Sequence, residues 1–185
     1  LYTSLDLPID APVTDACGSC TACIDICPTQ AIRAPYQLDA RRCISYWTIE
    51  HKGSIPVEIR ENMGNRVFGC DDCQLVCPWN KFAKTATESA FLPRHKLNDN
   101  TLLELFSWDE ATYLKNTEGS ALRRAGFEGW QRNLTVGLGN APYSQKIIEV
   151  LKAKIPASST TLLEHINWAI EKQKQSGGTV VVAPE

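Results

Sequence analysis

The eight cysteines constrain this 185-residue chain more than any other feature, because all of them fall between Cys17 and Cys77. An even number of cysteines is compatible with disulfides, but gaps of only two residues suit metal binding better. Zinc sites usually combine Cys-x2-Cys pairs, often with histidine. His51 is the only histidine in this region, and no cysteine or histidine accompanies it at zinc-finger spacing. The pattern therefore favours iron–sulfur clusters over zinc and over disulfides.

Two cysteine motifs carry this interpretation. The first has the spacing of the bacterial ferredoxin run, Cys17-x2-Cys20-x2-Cys23-x3-Cys27-Pro28. The second is one cysteine shorter, Cys70-x2-Cys73-x3-Cys77-Pro78, and Cys43 is available to replace the missing ligand. Short gaps let one tight loop supply three thiolates to one cubane, and its backbone N–H groups can donate to the sulfurs. The sequence therefore predicts two [4Fe–4S] clusters.

The ligands of each cluster follow from one rule of such proteins, since the cysteine before proline ligates the neighbouring cluster. The predicted ligands of cluster one are Cys17, Cys20, Cys23 and Cys77. The predicted ligands of cluster two are Cys27, Cys43, Cys70 and Cys73. All eight cysteines are used, with four on each cluster.

Composition limits the classes of partner. The formal net charge is −2, from 19 Lys and Arg against 21 Asp and Glu, so any nucleic-acid surface must be a local patch. No apolar run is long enough to span a membrane, and no signal peptide is visible at the start. A cytoplasmic protein without a membrane partner is therefore expected. Since the sequence begins with Leu1 rather than Met, we expect it to be a fragment.

Changes in composition divide the chain into five parts. We expect a strand with an extended lead-in (1–14), a ferredoxin-like two-cluster domain (15–84), a linker (85–100), a helical domain (101–175) and a flexible tail (176–185). The fold class predicted from these parts is α+β.

The helical domain is predicted from apolar periodicity and from end signals. Ser107 with Glu110, and Thr161 with Glu164, have the spacing of capping boxes. Glycines interrupt the periodic pattern and predict short helices joined by tight turns; they are Gly126, Gly129, Gly137 and Gly139. Short amphipathic helices in series are typical of stacked helix pairs of the solenoid type.

Two stretches around the cysteines, residues 42–53 and 64–82, are similar to epoxyqueuosine reductases. Downstream, residues 119–126 and 132–140 resemble the helical region of the same family. The resemblance implies reduction of epoxyqueuosine at the wobble position of a tRNA. It also implies cobalamin beside the two clusters, and HEAT-like repeats that hold the tRNA. The family's cobalamin domain and catalytic aspartate lie upstream, so we predict no catalytic residue here and no activity of this chain alone.

The resemblance also suggests roles for residues outside the cysteines. Tyr46 and Glu50 are candidates for contact with cobalamin, and Lys52 for contact with tRNA. The alternative is that Tyr46 and Trp47 pack over cluster two as its apolar shell while Lys52 is solvated.

A basic patch in the helical domain is the best candidate for an RNA contact. Arg123, Arg124 and Arg132 could bind phosphates through their planar guanidinium groups. The alternative is a solvated helix face, or an Arg132 that ties helix ends together. Asn133 is expected to cap a turn, and His165, between apolar positions on a helix, is expected to be incidental.

Two other functions use similar cysteine motifs. A stand-alone two-cluster ferredoxin would carry electrons but would not need the long helical region. A corrinoid reductive dehalogenase would not need the basic patch, and it usually has an export signal. For the reductase we expect a low-potential electron donor of the flavodoxin or ferredoxin type.

Overall fold

Short helices joined by turns make up most of the chain in the computed structural model, which describes residues 2–95 and 97–177. The α-helices are α1 Ala22–Ile26, α2 Val57–Met63, α3 Asp72–Leu75, α4 Leu102–Phe106, α5 Glu110–Asn116, α6 Gly126–Asn140, α7 Gln145–Lys154 and α8 Thr160–Gly177. A π-helix covers Tyr46–Glu50, and 3-10 turns cover Ala40–Arg42, Pro78–Phe82, Ser89–Phe91, Ala121–Ala125 and Ile155–Ala157.

The sheet in the described residues is one antiparallel hairpin, β1 Ile32–Ala34 and β2 Gln37–Leu38. The predicted α+β class is therefore right only in coarse terms, since the chain is mostly helical. The strand predicted within residues 1–14 is absent from the described residues 2–14, which run without helix or strand. A strand needs a hydrogen-bonded neighbour, and the described part of the chain offers these residues none.

Helix α6 lies at the centre of the structure, and every residue from 129 to 139 is buried. The expectation that glycines break this region into short helices is wrong, because Gly129, Gly137 and Gly139 all lie inside α6. At Gly137 and Gly139 the glycine permits close packing, and a methyl group on Gly137 would come within 3.1 Å of Leu102. A methyl group on Gly139 would come within 2.6 Å of the Trp168 ring and 3.0 Å of Ala169. The missing side chain therefore lets α6 pack directly on α8.

Helix α6 joins two apolar clusters. The larger fills the helical half; its buried members are Leu105, Phe106, Tyr113, Trp130, Leu134, Leu138, Ile147, Ile148, Leu151, Leu162, Ile166, Ala169 and Ile170. The smaller lies under the cysteine region and consists of Ile44, Ile55, Ile59, Met63 and Val136. Since Val136 comes from α6, the helical half completes the apolar cluster of the cysteine region.

Arg132 and Asn133 of α6 hold the segment that follows Cys43. The Arg132 guanidinium donates to the carbonyl oxygens of Trp47, His51 and Gly53 at 2.7, 2.9 and 2.7 Å. It is 1% exposed, so the prediction that Arg132 contacts RNA is wrong, and the alternative of a structural tie is the observed arrangement. Burial lowers the pKa of Arg132 to about 10, which still leaves it charged at neutral pH.

Asn133 makes the same connection beside Arg132. Its side-chain amide donates to the carbonyl oxygens of Thr48 and Val67, both at 2.8 Å. The expectation that Asn133 caps a turn within the helical domain is therefore wrong. Together Arg132 and Asn133 satisfy backbone acceptors on two separate loops of the cysteine region.

His165 of α8 makes a second connection between the halves, so it is not incidental. Its Nε2 accepts the backbone N–H of Ile55 at 3.1 Å, and its Nδ1 lies 2.7 Å from the Thr161 carbonyl oxygen. These partners require the neutral ring with the proton on Nδ1, because an amide only donates and a carbonyl only accepts. Burial lowers the pKa of His165 to about 4.

The helix ends differ from those predicted. The capping box is formed by Thr101 and Glu104 at the start of α4. Ser107 follows the end of α4, and Asp109 caps α5 by accepting the N–H of Thr112. Thr161 lies inside α8 rather than before it. Both predicted capping boxes are therefore wrong, because spacing alone does not show which hydroxyl precedes a helix.

The predicted linker, 85–100, holds one short 3-10 turn and is otherwise irregular where it is described; Lys96 lies outside the described residues. Helix α8 continues to Gly177, two residues past the predicted end of the helical domain. The rest of the predicted tail, 178–185, lies outside the described residues. Among the described helices, none combines the length and apolar character that crossing a bilayer requires.

We expect Arg132→Gln to lower the free energy of unfolding by about 3–5 kcal/mol, because three buried carbonyl oxygens lose a charged donor. Urea unfolding followed by circular dichroism on anaerobically prepared protein measures this. The matched control is Arg124→Gln, whose side chain is 67% exposed and whose ion pair contributes below about 1 kcal/mol. Equal midpoints for the two variants would contradict the role given to Arg132.

We expect His165 to make stability fall with acidification. Its pKa is lowered in the folded state, so the unfolded chain binds the proton first and the stabilisation is complete only above the unfolded pKa, about 6.5. Between pH 7 and pH 5.5 the folded state should lose about 1 kcal/mol from this group. Unfolding midpoints at both pH values test this against His165→Gln, which should show the smaller pH dependence.

Candidate iron–sulfur site

Four cysteines surround a first cavity of about 120 Å³. They are the four predicted for cluster one, Cys17, Cys20, Cys23 and Cys77, with Pro78 and Trp79 completing the wall. Trp79 remains 58% exposed and donates its Nε1–H to the Ala16 carbonyl oxygen at 3.1 Å. It therefore fixes the start of the first cysteine loop to the second motif.

The first loop turns tightly because Gly18 has a φ of +57°, a conformation that favours glycine. The Asp15 carboxylate accepts the N–H of Cys17 at 2.8 Å and the Tyr36 hydroxyl at 2.6 Å. Tyr36 itself has a φ of +59° in the turn between β1 and β2. These contacts hold the start of the loop against the hairpin.

A second, larger cavity of about 570 Å³ lies beside the first. The four cysteines predicted for cluster two line it, Cys27, Cys43, Cys70 and Cys73. Cys17 and Cys23 line both cavities, so the two cavities are neighbours. The rest of the wall is largely apolar, with Ala31, Ile32, Leu38 and Ile44 among its members.

The backbone before each proline explains why one loop serves two cavities. Cys27 and Cys77 are both extended, with φ and ψ of −66° and 110°, and of −64° and 125°. A following proline disfavours the helical conformation at these positions. Helix α1 ends directly before Cys27 and α3 ends two residues before Cys77, and each of these cysteines lines the other cavity rather than that of its own loop.

The segment that follows Cys43 is held to the second cysteine motif by contacts that the sequence did not reveal. The Ser45 hydroxyl accepts the N–H of Cys70 at 3.0 Å, and the Thr48 hydroxyl accepts the N–H of Gly69 at 2.9 Å. Thr48 lies in the π-helix, a form common at functional sites. Ser45 and Thr48 bridge more than 20 residues of sequence, so no local pattern indicates them.

The surroundings of the thiols affect their ionisation differently. Burial opposes ionisation of Cys27, but N–H groups of Ala31 and Ile32 and the Thr29 hydroxyl outweigh it, so its pKa is lowered. The Ala31 N–H lies 3.2 Å from the Cys27 sulfur. Burial raises the pKa of Cys70 and of Cys73. A bound cluster would have to compensate for the free-energy cost of ionising these two buried thiols.

The thiols, which all lie in the described part of the chain, do not converge closely enough for three of them to share one metal ion. All eight cysteines are free thiols. Four thiolates on one zinc ion lie about 3.8 Å apart, given a Zn–S distance of about 2.3 Å. Within residues 2–95 and 97–177, no three His, Cys, Asp or Glu side chains converge closely enough to share one metal ion. A cubane, with an iron at each of four corners, holds its thiolates further apart.

Tyr46 and Glu50, the candidates for a cobalamin contact, lie on the π-helix near its surface. Tyr46 is 37% exposed and packs edge-on against Trp47, with 5.3 Å between ring centroids. The Glu50 carboxylate pairs with Arg124 at 2.8 Å. Glu50 therefore ties the segment after Cys43 to the turn before α6.

Of the four candidates for tRNA contact, three are exposed together. Lys52 donates to the carbonyl oxygens of Arg124 and Ala125, and Arg123 donates to that of Leu114. Lys52, Arg123 and Arg124 thus gather around the Ala121–Ala125 turn, with their charges near solvent. The fourth candidate, Arg132, is the buried tie described above.

A family model described as a 4Fe-4S double cluster binding domain matches residues 16–80. An epoxyqueuosine reductase of Xanthomonas campestris is 56% identical over 92% of this chain and 48% of its own length. The solved structure of epoxyqueuosine reductase from Streptococcus thermophilus has the same fold, with a TM-score of 0.77, 24% identity, and coverage of 98% of this chain and 46% of that one.

A further solved epoxyqueuosine reductase was crystallised with a tRNA-Tyr epoxyqueuosine-modified tRNA stem loop. It is 28% identical to this chain, with a TM-score of 0.63, and the match covers 89% of this chain and 52% of the other. The chain spans about half the length of the curated relatives that it matches. Across that half, the chain is similar in sequence and in fold to epoxyqueuosine reductases.

Proposed function

We propose that this chain is the electron-transfer and tRNA-contacting half of an epoxyqueuosine reductase, which reduces epoxyqueuosine to queuosine at the tRNA wobble position. One observation carries the proposal: eight thiols gather around two neighbouring cavities, with four predicted ligands at each. The relatives, 54–56% identical in the first two cases, supply the reaction.

The proposed ligands are Cys17, Cys20, Cys23 and Cys77 for cluster one and Cys27, Cys43, Cys70 and Cys73 for cluster two. Both cavities lie against Cys17 and Cys23, which supports short transfer of single electrons between the clusters. Loss of an epoxide oxygen as water consumes two electrons and two protons, so two one-electron centres suit the reaction. We expect a low-potential donor of the flavodoxin or ferredoxin type.

Cobalamin, which the resemblance implies, would supply the metal-centred chemistry that opens the epoxide. Tyr46 and Glu50 remain the candidates for contact with it, since both reach the surface of the π-helix beside cluster two. No residue of this chain is proposed as catalytic.

For the tRNA we propose contact through Lys52, Arg123 and Arg124, with α4–α8 acting as HEAT-like repeats. The support is the exposed grouping of these cations on a chain of net charge −2, and the stem loop in the related structure. A stand-alone electron carrier is less well supported, because α6 completes the apolar cluster under the cysteines. The helical half is therefore no separate appendage.

We expect anaerobically reconstituted protein to hold about eight irons and eight sulfides, and Cys43→Ala to hold about four of each. Cys43 is proposed to ligate cluster two alone, so only that cluster should be lost. Iron and sulfide analysis with electron paramagnetic resonance (EPR) of the reduced protein measures this. Cys20→Ala is the matched control, in which cluster one is lost instead. Loss of both clusters, or of neither, in Cys43→Ala would refute the ligand scheme.

We expect the pair Arg123→Gln and Arg124→Gln to weaken binding of an epoxyqueuosine-modified anticodon stem loop by about 10-fold and to reduce the salt slope by about 1–2. Each guanidinium lost removes one phosphate contact. Fluorescence anisotropy at several salt concentrations measures both quantities. Lys174→Gln, an exposed cation of α8 paired with Glu171, should leave them unchanged. An equal loss of stem-loop affinity in the double arginine variant and in Lys174→Gln would argue against a specific RNA surface.

A further inference from the structure

One ion pair distinguishes the wall of the second cavity from that of the first. Asp72 lies between two proposed ligands, Cys70 and Cys73, and lines the second cavity. The Arg66 guanidinium reaches it from the loop after α2, with Nη2 2.5 Å and Nε 3.4 Å from the carboxylate oxygens. Arg66 also donates through Nη1 to the Met63 carbonyl oxygen at 3.1 Å.

The two cysteine motifs permit a direct comparison. Cys20-x2-Cys23-x3-Cys27-Pro28 and Cys70-x2-Cys73-x3-Cys77-Pro78 have the same spacing, so Asp72 corresponds to Ala22. Ala22 opens α1 as Asp72 opens α3, but it brings no charge. The carboxylate and its cation are therefore particular to the second loop.

The pair is placed to act on the cluster electrostatically. Both side chains are partly buried, with 30% of Arg66 and 23% of Asp72 exposed, so solvent screens them less than a surface pair. In sequence, Arg66 lies four residues before the proposed ligand Cys70, and Asp72 lies two residues after it. Net charge and hydrogen bonds at the sulfurs are main determinants of a cluster's reduction potential.

We propose that Arg66 raises the reduction potential of cluster two by neutralising the Asp72 carboxylate in the wall of the second cavity. Each one-electron reduction adds one negative charge to the cluster and no proton, so a nearby cation stabilises the reduced form. Without Arg66, the Asp72 carboxylate would oppose that charge. The proposal rests on the proposed function for the existence of cluster two, and it makes Arg66 a tuning residue rather than a catalytic one.

The test is an EPR-monitored redox titration of the reconstituted chain, with dithionite as reductant. The signal that disappears in Cys43→Ala belongs to cluster two. Arg66→Gln should lower the equilibrium constant for reduction of that cluster about 10-fold, a downward shift of about 59 mV for one electron. Asp72→Asn should shift it upward, and Arg66→Lys should lie between Arg66→Gln and the unaltered protein. The potential of cluster one should move less in every variant.

The control is Arg41→Gln, because Arg41 forms a similar pair with Asp39 but is 87% exposed and lines neither cysteine cavity. It should leave both potentials unchanged. Iron analysis shows whether each variant retains two clusters. If Arg66→Gln loses a cluster, the proposal is tested by the Asp72→Asn variant, whose cluster-two potential must shift upward. An unchanged potential, shifts of the same sign in Arg66→Gln and Asp72→Asn, or equal shifts of both clusters would overturn the proposal. Fewer than about eight irons in the unaltered protein would instead refute the proposed clusters.

Discussion

The buried guanidinium of Arg132 is the interaction on which the cysteine region depends most. Three carbonyl oxygens of the segment 47–53 point at one cation, and Asn133 satisfies two more acceptors beside it. A buried charge without a counter-ion is expensive unless strong acceptors surround it. Here the acceptors are backbone carbonyl groups of the π-helix and of the residues that follow it. Helix α6 thus fixes the position of this segment through hydrogen bonds.

That order reaches the proposed cluster ligands through a short chain of contacts. The segment held by Arg132 begins with the π-helix after Cys43, whose Thr48 hydroxyl binds the N–H of Gly69. Ser45 then binds the backbone of Cys70. Four thiolates can ligate a rigid cluster only when they are correctly positioned, either by the protein before the cluster binds or by the cluster as it binds. In this chain much of the positioning comes from hydrogen bonds to α6, far away in sequence.

The parts of the structure that the sequence predicted are those governed by local rules. Cysteine spacing and the two prolines dictate tight loops with a final cysteine that turns outward, and in the structure the eight thiols line two neighbouring cavities. The helical character of residues 101–175 follows from apolar periodicity in the same way. The ligand roles themselves, the cobalamin contacts and the tRNA contacts remain predictions.

The failures of prediction concern residues whose partners lie far away in sequence. Arg132 looked like a phosphate ligand because arginine is usually exposed, and only the fold shows the carbonyl groups that surround it. Gly139 looked like a helix breaker, but its partner Trp168 lies almost 30 residues further on, and the glycine is a packing site. His165 lacked any local reason for a polar bond because its donor, Ile55, belongs to the other half.

The burial of Arg132 also changes the location of the proposed RNA-binding surface. With Arg132 removed from the patch, the exposed cations are Lys52, Arg123 and Arg124, and they gather where the segment after Cys43 meets the turn before α6. The Glu50–Arg124 pair lies at the same junction. A phosphate that drew Arg124 away would compete with Glu50 and so act on the π-helix that follows Cys43. The proposed RNA surface and the proposed second cluster therefore share one structural element, which a flexible appendage to a ferredoxin would not provide.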